Sequence, residues 1–313
     1  MSAKNTKTKP ARLSGNLIVT TEVIEMFKKA ERKQAKLRLA LAGPSGSGKT
    51  YSALLMAKGL GGRIAVIDTE QGSASLYSDI ADFDVLELQP PFSPERYVEA
   101  IAAAEAAGYN VLIVDSYSHE WTGPGGCLEA NEALAHQKFR GNTWAAWNET
   151  TPRHRQLTNK ILTSALHVIC TMRSKTETVQ GEGKKIVKLG MKSEQRDGTD
   201  YEFTVVLDIT HDAHTAIASK DRTKLFNAPE LISEETGRKL LGWLNSGVSP
   251  EARAKELLID ALADISTAAD MTGLQAAFNA AKAIALGFED LVSQVVAAKD
   301  KRKAELTPLE KTA

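Results

Sequence analysis

The stretch that most constrains this chain runs from Leu37 to Leu60, LRLALAGPSGSGKTYSALLMAKGL. Alternating Leu37, Leu39 and Leu41 read as a buried strand, and Leu54, Leu55 and Ala57 as part of the helix that follows. Between them stands Gly43-Pro44-Ser45-Gly46-Ser47-Gly48-Lys49-Thr50, a G-x-x-x-x-G-K-[ST] run in the strand-to-helix setting it requires. Its glycines let successive backbone N–H groups converge on one point without Cβ clashes. The helix behind aims its N-terminal dipole and free N–H groups at the same point. Lys49 is therefore expected to reach the β- and γ-phosphates of ATP, and the Thr50 hydroxyl to ligate Mg²⁺.

The 313 residues suit one large domain, or one domain with an appendage. The formal net charge is zero, so any contact with nucleic acid must come from a local patch. Cys127 and Cys170 have neither disulfide nor metal spacing and read as reduced core residues of a cytosolic protein. No apolar run approaches the length of a membrane span, and MSAKNTKTKPAR has no signal-peptide core, so no membrane partner is expected.

Along the chain, residues 1–35 read as a polar tail and a helix over 21–36, with Val23, Ile24 and Phe27 on one face. Strands are expected at Arg63–Asp68, Phe83–Leu88, Asn110–Asp115 and Leu166–Thr171, and later at Phe203–Thr210 and Ala216–Ser219. A helix with Pro94 near its start ends at Gly108, and a longer helical region to Ser164 breaks near Gly141. Residues 117–126, YSHEWTGPGG, read as a loop, and 173–200 as a polar basic segment with one strand near Lys185–Leu189. Helix Ser233–Asn245 closes a core spanning 36–245, and 246–313 is a linker followed by three helical segments. Strands alternating with helices predict an α/β fold with a mainly parallel central sheet. Ligands of such sheets lie at the carboxyl ends of the strands, where Gly43–Thr50, Glu70, Asp115 and Thr171 all fall.

Asp115 closes the apolar run NVLIVD and reads as the carboxylate that holds Mg²⁺ together with Thr50. The next residue is Ser116, so a base adjacent to Asp115 is missing and another carboxylate must polarise the attacking water. Glu70, just past the second strand, is the first candidate and Glu120 the second. Trp144 and Trp147 share a helix face and, with Trp121, read as core rather than as base-stacking residues.

The P-loop, the acid in VIDTE and the strand LIVDS resemble the RecA-like recombinase ATPases. Over about residues 36–228 the chain is most similar to phage-encoded RecA-core ATPases, including single-strand annealing proteins. The resemblance implies that Glu70 is the catalytic glutamate and that Thr171 and Arg173, in CTMRSK, sense the γ-phosphate. The family usually has Gln or a similar polar residue there. The resemblance also places the DNA-contacting loop after Arg173. From Arg173 to Arg196 the chain carries Arg173, Lys175, Lys184, Lys185, Lys188, Lys192 and Arg196 against Glu177, Glu182 and Glu194, a patch that suits phosphates. A solvated hairpin would look the same. Lys220 and Arg222 match a pair of basic residues that the family sends across the subunit interface to a neighbour's ATP.

The expected protein is thus an ATP- and Mg²⁺-dependent ATPase that oligomerises as a ring or filament on single-stranded DNA and promotes annealing or strand exchange. A single-strand-binding or replication protein is a further expected partner. A nucleotide-dependent switch or loader acting on a protein is the main alternative. A translocating motor or a small-molecule kinase would need motifs that are not visible in the sequence.

Overall fold

Strand β1 (Arg38–Gly43) is buried along its whole length, and the sheet extends from it in both directions. The computed structural model describes residues 30–180 and 186–307, and Lys33–Ala313 forms one unit. Helix α1 (Lys49–Leu60) leads to β2 (Ile64–Asp68) and β3 (Phe83–Glu87). Helix α2 (Pro94–Ala106), with Pro94 at its first turn, leads to β4 (Val111–Asp115). Helices α3 (Ser118–Thr122), α4 (Cys127–Lys138) and α5 (Thr143–Thr163) then precede β5 (His167–Gln180) and β6 (Ile186–Ser193). The sheet is completed by β7 (Val205–Ile209), β8 (Thr215–Asp221) and β9 (Glu230–Leu231).

The strand order is β3-β2-β4-β5-β1-β7-β8-β9. Strands β3 to β7 in that order run parallel, β8 runs against them, and β9 runs against β8. Alternate side chains of β1 supply two cores. Leu39 and Leu41 meet Leu54, Ile113 and Ile169 on one face, and Ala40 and Ala42 meet Ile101, Leu157 and Val168 on the other. Helix α6 (Glu234–Asn245) covers the first face beside α1, where Gly59 and Gly237 face each other. A Cβ on Gly59 would lie 2.8 Å from Gly237 Cα and would also overlap the Glu234 carbonyl. A third, separate core, with Leu258, Ile265, Leu274, Leu291 and Val295, joins α7 (Pro250–Thr267), α8 (Met271–Ala285) and α9 (Glu289–Leu306).

Four expectations need correction. The helix expected over 21–36 is absent from its described end: residues 30–36 carry no helix, and Gln34 N–H donates to the Val248 carbonyl at 3.1 Å. Lys33 bridges Val248 there in parallel, so that segment's hydrogen bonds go to the linker instead of to itself. Val23, Ile24 and Phe27 lie outside the described residues. The expected loop 117–126 contains helix α3. The strand expected to stop at Thr171 continues to Gln180 and pairs antiparallel with β6, so the basic segment is largely a hairpin. Trp144 is not core: it is 84% exposed. Among the described residues no helix is long and apolar enough to cross a membrane.

Candidate active site

The loop after β1 folds back because Gly46 and Gly48 adopt φ of 76° and 88°, values that only glycine takes without strain. Gly43 admits no Cβ either, since one would lie 2.8 Å from the Ile209 carbonyl. Pro44 and Ser45 carry the turn, and the Pro44 carbonyl accepts from Ser47 N–H at 3.3 Å. The first-turn N–H groups of α1 have no intrahelical acceptor and open onto a cavity of about 460 Å³. Lys49, Thr50, Glu70, Asp115 and Arg173 line it. Lys49 Nζ donates to the carbonyls of Gly43 at 3.0 Å and Pro44 at 2.8 Å, which holds the ammonium inside the loop. Burial pushes its pKa down, and the nearby Asp115 charge opposes that shift.

Register explains why the acids converge. Asp68 lies opposite Asp115 in the β2–β4 pairing, and Val114 lies opposite Cys170 in the β4–β5 pairing, so Asp115 and Thr171 sit at one level. The Asp115 carboxylate is 1% exposed. It accepts Thr50 Oγ1–H at 2.6 Å on one oxygen and Thr171 Oγ1–H on the other. Burial raises its pKa above the usual carboxylate range, and the two hydroxyls oppose that rise. Thr69 ties β2 to β4: its N–H donates to the Asp115 carbonyl at 2.7 Å, and its hydroxyl accepts Ser116 N–H at 2.8 Å.

Glu70 and Arg173, expected as base and sensor, are paired. Arg173 Nε and Nη2 approach Glu70 Oε1 at 3.0 and 2.9 Å. Asp68, which the sequence reading passed over, supports Glu70 from behind. Its oxygens accept Glu70 N–H at 2.6 Å and Ala74 N–H at 2.9 Å, which fixes the loop after β2. The sequence signal was available, since Asp68 ends the run RIAVID as Asp115 ends NVLIVD.

Glu120 lies elsewhere. Helix α3 turns its carboxylate inward, 0% exposed, where Cys127 Sγ at 3.0 Å, His154 Nδ1 at 3.0 Å and Gln195 Nε2 at 3.2 Å surround it. A carboxylate whose lone pairs are already engaged, away from the cavity, cannot orient water there, so this alternative base is withdrawn.

Lys220 lies near the end of β8, opposite Val206, and Arg222 just past that end, whereas the P-loop leaves the far end of β1. Three residues along the strand and two strand spacings put Lys220 on the order of 14 Å from the P-loop of its own chain. Its ammonium donates to the carbonyls of Asp200, at 2.9 Å, and Tyr201. Of the basic segment, Lys175 pairs with Glu194 at 3.3 Å and Lys192 with Asp197 at 2.8 Å. Lys188 is on β6, and Lys184 and Lys185 lie outside the described residues.

A second cavity, of about 310 Å³, shares Gly46, Gly48 and Tyr77 with the first and adds Tyr51, His214 and Ile232. His214 Nδ1 lies 3.1 Å from the Ser47 carbonyl, so the β7–β8 turn braces the P-loop from outside. The arrangement fits a nucleotide: a polar cavity with a lysine and open N–H groups adjoins a more apolar one with two tyrosines. The buried hydroxyls of Ser47, Ser73 and Ser116, all in the loops of this site, have no partner among the described residues. The hydroxyl of Thr50 and the carboxylate of Asp115 form the hard-oxygen donor set that Mg²⁺ prefers.

A family model described as an AAA domain matches residues 35–235, more than half of the chain. No curated protein matches it.

Proposed function

Because the chain belongs to the AAA-domain family of P-loop NTPases, we propose that it is an ATP- and Mg²⁺-dependent, RecA-like ATPase that binds single-stranded DNA and promotes annealing or strand exchange in homologous recombination. The observation that carries this reading is the path of β5. It lies between the P-loop strand β1 and the Asp115 strand β4, supplies Arg173 to the nucleotide cavity and the Thr171 hydroxyl to Asp115, and runs on into the basic hairpin. One strand therefore joins the phosphate site to the expected DNA site.

Lys49 exchanges its two loop carbonyls for phosphate oxygens, and the N–H groups at the start of α1 take the rest of that charge. Thr50 and Asp115 are the residues that hold Mg²⁺. The metal, when bound, neutralises charge developing on the phosphate oxygens. Arg173 turns from Glu70 to the γ-phosphate, which frees the Glu70 carboxylate to orient water for in-line attack. Lys220 and Arg222 act on a neighbouring copy, since their own P-loop is out of reach. The cavity beside Tyr51 and Tyr77 takes the base.

The test is steady-state ATP hydrolysis with and without single-stranded DNA at two salt concentrations. Stimulation that fades as salt rises is expected. Hydrolysis indifferent to DNA, with no binding at low salt, refutes the DNA half of the reading. It would favour a switch or loader acting on a protein partner. That second reading has one observation behind it: Lys175 and Lys192 are already paired with Glu194 and Asp197.

A further inference from the structure

Helix α5 carries an aromatic surface that the nucleotide site does not use. The rings of Trp121 and Trp147 stack, with centroids 5.4 Å apart and planes 20° from parallel. The Arg196 guanidinium lies 6.0 Å from the first ring and 5.8 Å from the second. It is held there by the Thr151 hydroxyl at 3.1 Å. Trp144, three residues before Trp147 and so on the same side of the helix, is 84% exposed. A tryptophan is normally mostly covered, because leaving its ring in water forgoes the hydrophobic gain of burying it. Here one bare indole stands beside a stacked pair that already has a cation.

The surface also lies at the right edge of the sheet. Helix α5 has 21 residues, about 31 Å, and ends at Thr163 just before β5 begins at His167. Its start therefore lies at the carboxyl edge of the parallel strands. That edge holds the nucleotide cavity and the root of the β5–β6 hairpin. Arg155 and Arg196 line a cavity of about 300 Å³ next to His154, within reach of the stacked rings, along with the acids Asp197 and Glu202. Gln195 links the two regions. Its side chain donates to the Tyr117 carbonyl at 3.0 Å and to Glu120, and its Oε1 accepts Arg196 N–H at 2.7 Å.

We propose that Trp144 and the Trp121–Trp147 pair form a stacking platform for unpaired bases of single-stranded DNA, with Arg196 and Arg155 meeting the adjoining phosphates. Flat indoles accept any base face, whereas bases in a duplex are already stacked on one another. The proposal rests on the DNA-binding reading and gives it a contact surface that a lysine-rich hairpin lacks.

The test uses the full chain, a labelled single-stranded oligothymidylate followed by anisotropy, and intrinsic tryptophan fluorescence. DNA is expected to quench the fluorescence of the wild-type protein. Trp144→Ala should weaken binding by about tenfold, within the range for losing one stacked base. Trp144→Phe, which keeps a flat ring, should recover most of that loss. Melting of both variants should match the wild type, since the side chain is exposed. The salt dependence of binding should keep its slope in Trp144→Ala, whereas Arg196→Ala should lower it by about one unit. Equal affinity of wild type and Trp144→Ala overturns the platform and leaves the DNA-binding reading intact. A wild type that binds no oligonucleotide at low salt overturns both. Duplex bound as tightly, with the same loss in Trp144→Ala, refutes base stacking.

Discussion

Asp115→Asn should separate stability from metal binding. The carboxylate is 1% exposed and accepts two hydroxyl hydrogen bonds, from Thr50 at 2.6 Å and from Thr171. Asn has the same shape and loses the charge. One of its two polar atoms becomes a donor, and a threonine hydroxyl can rotate to accept from it. Two hydrogen bonds to a charged group fall to ordinary strength, a loss of about 1 kcal/mol each. Against that stands the desolvation cost of a buried ion, several kcal/mol in folded proteins. Lys49 loses an attractive neighbour, which takes back part of the gain. The balance is a variant as stable as the parent or better by about 1 kcal/mol, a melting shift of about 2–4 °C. A ligand at a hundred times its dissociation constant adds about 2.7 kcal/mol to the folded state. Asp115→Asn should lose the Mg²⁺-dependent part of that increment. Thermal melts with a non-hydrolysable ATP analogue, in Mg²⁺ and in EDTA, measure both quantities. A variant that melts far below the parent without ligand, or that keeps the whole Mg²⁺-dependent shift, would refute the reasoning.

Three further outcomes are expected. Glu70→Gln should still bind nucleotide but lose at least about a hundredfold in turnover, the scale of a missing general base; normal turnover would remove Glu70 from the role. Gly59→Ala should destabilise the fold by about 2 kcal/mol in urea, because overpacking against Gly237 and the Glu234 carbonyl outweighs alanine's helix propensity; an unchanged midpoint would mean that α1 and α6 separate freely. His167, buried and accepting Leu37 N–H at 3.1 Å, has its pKa pushed down to about 4 by burial. Its folded-state pKa lies below the unfolded value, so the stability it protects is complete above about pH 6.5 and is lost as pH falls toward 4, by up to about 3 kcal/mol. His167→Asn should flatten that part of the profile, and parallel profiles for the two proteins would contradict the assignment.

The sheet and the P-loop were legible in the sequence because the central parallel strands, buried on both faces, are written as apolar runs, and β1, β2 and β4 end at Gly43, Asp68 and Asp115 of the candidate site. Pro94, Gly108 and Gly141 marked helix ends for the same local reasons. Side-chain direction was not legible. Glu120 comes soon after Asp115 in the chain, and nothing local says that Cys127, His154 and Gln195 will gather round it from three other segments. Trp144 and Trp147 have the spacing of a core stripe, but Trp144, in the first turn of α5, is left exposed although Asn131 of α4 packs against the Thr143 carbonyl beside it. The pairing of Glu70 with Arg173 joins residues 103 positions apart and depends on strand order, which periodicity does not encode.

Strand β8 runs against the parallel strands, so Lys220 and Arg222 stand at one rim of the sheet and Lys49 at the other. With those cations acting across an interface, as proposed, the contact joins unlike faces of two copies. A twofold pair makes it twice only where both rims fall within one self-complementary patch, whereas a head-to-tail row makes it once at every junction. An open row always ends in one chain whose catalytic pocket no neighbour completes, and only closure into a ring removes that idle end. Turnover per chain would then report how many copies have joined, so that the energy of ATP is released only in company.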